Sequence, residues 1–135
     1  MDEKKFKQKY QVDHTGTIAE ALFIANLLFI GVFYIVLWGL FFLSYKSATQ
    51  VSRNHLKQTL VASSLSTLIV VILNIFIVST AGYASATALI SAEVYLMLVV
   101  PLFMVVGIMG FTKAVNEKDF KFPIIGKLLG IQVQP

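Results

Sequence analysis

Two histidines, His14 and His55, and seven carboxylates are the side chains best suited to hold a metal or move a proton in this 135-residue sequence. Cysteine is absent, which excludes disulfides, iron–sulfur clusters and thiolate metal sites. A haem needs axial ligands, usually histidine. Each histidine precedes an apolar run. If every run crosses a bilayer, His14 and His55 end on opposite faces and cannot share one haem. A metal centre needs histidines and carboxylates close together, and here they are scattered. No Ser-His-Asp arrangement and no phosphate-cradling glycine loop is present. These absences point to a non-catalytic protein without cofactor or metal. His55 then reads as a headgroup or capping contact, and Glu93 as a surface carboxylate.

The elements that must position these residues are apolar. Hydrophobic residues make up 57% of the chain and charged residues 13%. A soluble domain carries about a quarter charged residues. The surplus of apolar surface predicts lipid as the solvent. The fold expected is all-α and polytopic. Three transmembrane helices cover about 18–43, 59–80 and 93–115, a polar basic tail covers 1–17, and an interfacial amphipathic segment covers 116–135. The first run is 26 residues by these bounds, about 39 Å as a helix against about 30 Å of hydrocarbon, so it must tilt or protrude. It is also about twice the length of a signal-peptide core, so a retained span is expected.

Polar and small residues inside the runs mark helix contacts. Asn26 lies deep in the first run and needs a hydrogen-bond partner there. Thr59, Ser63, Ser66, Thr67 and Asn74 share one face of the second run. In lipid such a stripe glues helices together more readily than it lines a transport path. Gly107 and Gly110 give the third run a smooth face. Pro101 removes one backbone bond and should kink that run. The stretch 81–92 is rich in small residues and reads as a tight loop or an early extension of the third helix.

The eleven Lys and Arg lie outside the runs or, as Lys113 does, at the last turn of one, which suits contact with anionic headgroups. They are spread over separate flanking segments, so a nucleic-acid partner is not expected. In the tail, Phe6, Tyr10 and Val12 could form the apolar face of a short interfacial helix. His55, Lys57, Lys113, Asn116, Lys118 and Lys121 are candidate headgroup contacts. Phe122 and Pro123 belong to the same closing elbow, where Pro123 forces an extended Phe122. With three spans, the first loop and the C-terminus share a side. That side carries Lys46, Arg53, Lys57, Lys113, Lys118, Lys121 and Lys127, against Lys4, Lys5, Lys7 and Lys9 on the other. The bias predicts a cytoplasmic C-terminus and an external N-terminus.

Two stretches carry a family resemblance. Residues 45–60 (YKSATQVSRNHLKQTL) and 112–128 (TKAVNEKDFKFPIIGKL) resemble the second-helix entry and closing motif of small bacterial and archaeal membrane proteins. These are grouped with the twenty-kilodalton membrane subunit of the chloroplast inner-envelope import translocon. His55, Lys57 and Gln58 match the entry. Lys113, Ala114, Asn116, Phe120, Phe122 and Pro123 match the closing motif. The family's turn often holds glycine, whereas this chain reads Asn116-Glu117-Lys118-Asp119. The resemblance implies a three-helix fold in a prokaryotic cytoplasmic or organellar inner membrane, and most bacterial members have no established activity. The function expected is an accessory or structural subunit of a larger membrane complex, its partners being lipids and other membrane subunits or further copies of itself. The alternatives are an oligomeric translocation or pore component and a basic lipid-surface scaffold.

Overall fold

The computed structural model describes residues 13–133, and every regular element among them is helical. The elements are α1 (Thr15–Leu28), α2 (Val32–Ser44), α3 (Gln50–Thr80), α4 (Ala86–Val115) and the short α5 (Ile125–Leu128). The tail lysines and the Phe6–Tyr10–Val12 face lie outside the described residues.

The first apolar run is not one span. The helix stops at Leu28, and Phe29, Ile30 and Gly31 turn the chain back. Gly31 sits at φ 95°, a conformation that side-chain-bearing residues avoid. The cross-helix bonds fix the directions. Gly16, Glu20 and Asn26 of α1 meet Ser52, His55 and Thr67 of α3, so α1 and α3 run parallel. Tyr34 and Tyr45 meet Ser64 and Arg53, so α2 runs antiparallel to α3. Residues 18–43 therefore form a helical hairpin, each arm about 20 Å long. Both of its ends open at the same end of the molecule. The expectation of three spans is corrected here, and with it the placing of the entry to α1 and the C-terminal segment on opposite sides.

The physical cause is Asn26. Its Oδ1 accepts the N–H groups of Gly31, at 3.1 Å, and Tyr34, at 3.0 Å. A turn surrounded by apolar side chains cannot take those bonds from water, so a side chain must supply them. Asn26 Nδ2 reaches Thr67 Oγ1 at 3.5 Å.

Two helices, α3 with 31 residues and α4 with 30, are long and apolar enough to cross a membrane. At 1.5 Å per residue each is about 45 Å long. The runs 59–80 and 93–115 lie within them. Thr49 caps α3, its hydroxyl accepting the Ser52 N–H, and Ser85 caps α4 through Ala88. Residues 86–92 extend α4 rather than form a loop. Ahead of Pro101, Tyr95–Val99 forms one π-helical turn, with Val100 N–H bonding Tyr95 O. This wider turn absorbs the proline within a continuous helix.

α4 returns antiparallel to α1. Gly107 faces Phe23 and Ile24, and Gly110 faces Glu20. One buried cluster joins Phe23, Leu27, Ala62, Phe122 and Ile125, and another joins Ala19, Leu37, Leu56 and Leu60. Both lie in the half of the molecule that holds the hairpin. The distal half contains α3 and α4 alone. Large apolar side chains there are exposed, among them Ile72, Ile75, Leu89 and Met97.

Candidate functional site

Among the described residues, buried polar side chains converge where α1 begins, α3 begins and α4 ends. Glu20 and His55 are fully buried, and His55 Nδ1 lies 2.6 Å from Glu20 Oε1. His55 Nε2 lies 2.8 Å from the carbonyl oxygen of Lys118. A carbonyl only accepts, so Nε2 carries a proton. The Nδ1–Oε1 contact then holds one further proton, on the ring or on the carboxyl. Both ring nitrogens are engaged, which leaves His55 no free lone pair for a metal or haem. His14 flanks α1 and lies at the same end as His55. Topology therefore does not separate the two histidines, contrary to the three-span expectation; His55's own bonds keep it from ligating.

Gly110 makes this pair possible. A Cβ at Gly110 would lie 2.6 Å from both carboxylate oxygens of Glu20. The second oxygen, Oε2, is buried without a partner. Glu20 therefore depends on His55 for its one strong contact.

Gln58 extends the network one turn along. Its Nε2 donates to Phe120 O at 2.7 Å, and its Oε1 accepts from Phe122 N–H at 2.6 Å. A single amide thus satisfies a donor and an acceptor of the incoming extended strand, as a β-partner would. Asn54 donates to Asp119 Oδ1 at 2.9 Å. Together His55, Gln58 and Asn54 hold residues 118–122 against α3. The bonds lead Phe122 into the core, where its ring lies 5.9 Å from Phe23. Phe122, expected in an interfacial elbow, is a buried plug. Pro123 follows it on the surface and Ile124 adopts φ 64° before α5.

The turn ending α4 is tight. Glu117 N–H bonds Ala114 O, Lys118 N–H bonds Lys113 O, and Glu117 takes φ 54°. This is a Schellman termination with glutamate where glycine is favoured. Asn116 bonds Thr112 O, and Lys113, Lys118 and Lys121 point to solvent. Lys57 and Arg53 lie 5.5 Å and 5.3 Å from the Tyr45 ring. Arg53 also donates to the carbonyl oxygens of Tyr45 and Lys46.

Asp13 closes the entry to α1. Its Oδ1 accepts from Thr15 N–H and its Oδ2 from Thr49 N–H at 2.7 Å. Partial burial pushes its pKa up, but these bonds outweigh burial and hold the carboxyl down at about 2. A cavity of about 210 Å³ opens beside it, lined by residues including Ser52, His55 and Glu117. Among the described residues no three His, Asp or Glu side chains come together as a metal site.

The remaining sequence candidates divide. Asn26 and Thr67 meet at the hairpin, and Gly107 and Gly110 pack within the chain. Ser63 is buried with an unpartnered hydroxyl. Asn74 stands apart in the distal half, where it donates to Val70 O and accepts from the Tyr83 hydroxyl. It borders an apolar groove of about 390 Å³ between α3 and α4 above the hairpin tip. The buried hydroxyl of Tyr95, on the groove wall, has no partner. Sequence reasoning missed Glu20, Ser52, Asn54 and Gln58 as network members. Part of their signal was present: Ser52 and Gln58 stand three residues either side of His55, and Asn54 four residues before Gln58.

Comparison with protein-family models, with curated proteins and with solved structures finds no match.

Proposed function

We propose that the chain is a non-catalytic integral membrane protein that serves as an accessory subunit of a larger membrane complex. The observation carrying this reading is the contrast between its two ends. At the hairpin end the buried polar side chains pack against one another inside the chain, with His55 committed at both nitrogens and only Glu20 Oε2 and Ser63 Oγ left without a partner. At the distal end two helices expose an apolar groove whose wall holds an unpartnered Tyr95 hydroxyl. A membrane-embedded apolar helix of a partner covers the groove and the large side chains exposed along it, such as Leu89 and Leu96. Thr59, Ser63 and Ser66 of the α3 stripe are buried within the chain and Thr67 bonds Asn26, which leaves the stripe little to line a translocation path.

A second reading, a scaffold on an anionic lipid face, is favoured by charge. The seven described Lys and Arg flank the hairpin end, and the turn 81–85 carries none. Such one-sidedness fits a cytoplasmic hairpin end and adds about 1 kcal/mol of attraction per basic residue near the surface.

Solubilisation of native membranes in mild detergent, followed by native mass spectrometry, tests the first reading. The expected result is stoichiometric retention of a larger membrane protein, lost when Leu89, exposed on the groove wall, is changed to Lys. A homo-oligomer alone favours the pore alternative, and a monomer with lipid only favours the scaffold.

A further inference from the structure

The membrane reading has a geometric consequence in the depth of the hairpin. The hydrophobic part of α3 starts near Thr59, and Thr67 and Val70 lie about 12–16 Å further along the axis. The hairpin tip meets α3 at this level, through Asn26–Thr67 and through Ile30 beside Val70. That is the midplane of a bilayer with about 30 Å of hydrocarbon. The tip also has the surface of a buried-in-lipid turn. Leu28 is 60% exposed, Phe29 65% and Val32 64%, and the turn 28–32 has no polar side chain. A turn facing water would carry polar residues.

We infer that the molecule is a wedge, which sorts to membranes whose hairpin-side leaflet is convex. The leaflet on the hairpin side holds four helices, α1 to α4, and the closing segment 118–131 packed beneath them. The opposite leaflet holds two. With helices about 10 Å across, the two extra helices add on the order of 160 Å² to one leaflet only. A leaflet that must accommodate surplus area relaxes by bending outward. The wedge is stiff because its arms are cross-bonded: Asn26 locks the turn, Tyr34 bonds Ser64 at 2.8 Å, and Gly107 and Gly110 bring α4 into close contact with α1. The basic residues lie on the wide side, so they face the anionic headgroups of the convex surface. This wedge rests on membrane insertion as proposed above, but not on any protein partner.

The test uses the full-length chain carrying Ser47→Cys, an exposed position at the basic end, labelled with a fluorophore. It is reconstituted into small sonicated and large extruded vesicles, of phosphatidylcholine alone or with phosphatidylglycerol. Protein density per membrane area is read vesicle by vesicle, and sidedness by a membrane-impermeant quencher. The wedge predicts a several-fold higher density in small vesicles, the basic end outward, and the same preference in neutral lipid. Equal density in both sizes, or a basic end facing inward in small vesicles, overturns it. A preference that disappears without phosphatidylglycerol also overturns it, because charge alone then explains the sorting. Release of the chain by alkaline extraction would instead refute membrane insertion itself, so the two failures are distinguishable.

Discussion

The two halves of this molecule solve the same problem differently. In the half that holds the hairpin, polar side chains are common and buried, and they meet one another: Glu20 with His55, Asn26 with the hairpin turn, Gln58 with the elbow. In the distal half α3 and α4 are almost wholly apolar, and Asn74 with Tyr83 is the principal side-chain pair. A hydrogen bond in hydrocarbon contributes modestly once formed, but a buried group left without its partner costs considerably more. The hairpin half is therefore specified by obligatory bonds, and the distal half by length and hydropathy alone. The first is built to be one shape. The second is left free to accept a neighbour.

Breaking the Glu20–His55 pair should reveal this contrast most strongly. His55→Leu leaves a buried carboxyl unpaired and releases the Lys118 carbonyl, a loss of about 3–5 kcal/mol. Thermal unfolding in detergent should show a large fall in midpoint, whereas Asn74→Leu in the distal half should cost about 0.6 kcal/mol or less. Similar losses for the two would remove the distinction between the halves. Asn26→Leu comes next. It strips an acceptor from two turn N–H groups, at about 1–3 kcal/mol for each, and should lower the unfolding midpoint in detergent while α3 and α4 stay helical by circular dichroism.

A smaller change has the opposite sign. Glu117→Gly relieves the left-handed conformation at the end of α4 and should stabilise the protein by roughly 1 kcal/mol. No gain would mean that the elbow conformation is imposed by Gln58 and His55 at no local cost. The smallest effect concerns acid. Asp13 has a pKa of about 2 folded against 3.8 ordinarily. Its contribution is complete above pH 3.8 and is lost as pH falls through about 2. Asp13→Asn should flatten stability across that window, and because the group is only partly buried and screened by solvent the change will be slight.

The sequence made the helical class readable, because runs of apolar residues this long leave no other economical structure in lipid. It also marked Asn26, Thr67, Gly107 and Gly110 as contact residues, since each is costly or empty unless packed. The hairpin was hidden. Residues 27–37 are apolar but for the Tyr34 hydroxyl, so no composition change signals the turn, and an isolated Gly31 is common in membrane helices. The clues were the excess length of the run and an asparagine five residues ahead of that glycine. The latch was hidden for another reason. Glu20 and His55 are 35 residues apart, and a pairing rule based on three spans placed their helices in the wrong relative direction. The plug formed by Phe122 was equally invisible, because an aromatic beside lysines looks interfacial until Gln58 is known to hold its backbone.

The account rests on residues 18–43 leaving the bilayer on the side they entered. With no native cysteine in the chain, single cysteines at His14, Ser47, Ala84 and Glu117 can be labelled from one side of sealed membranes. The hairpin predicts that positions 14, 47 and 117 react together and position 84 reacts only from the opposite face. Reaction of position 14 with position 84, away from position 47, would restore a third span and contradict it.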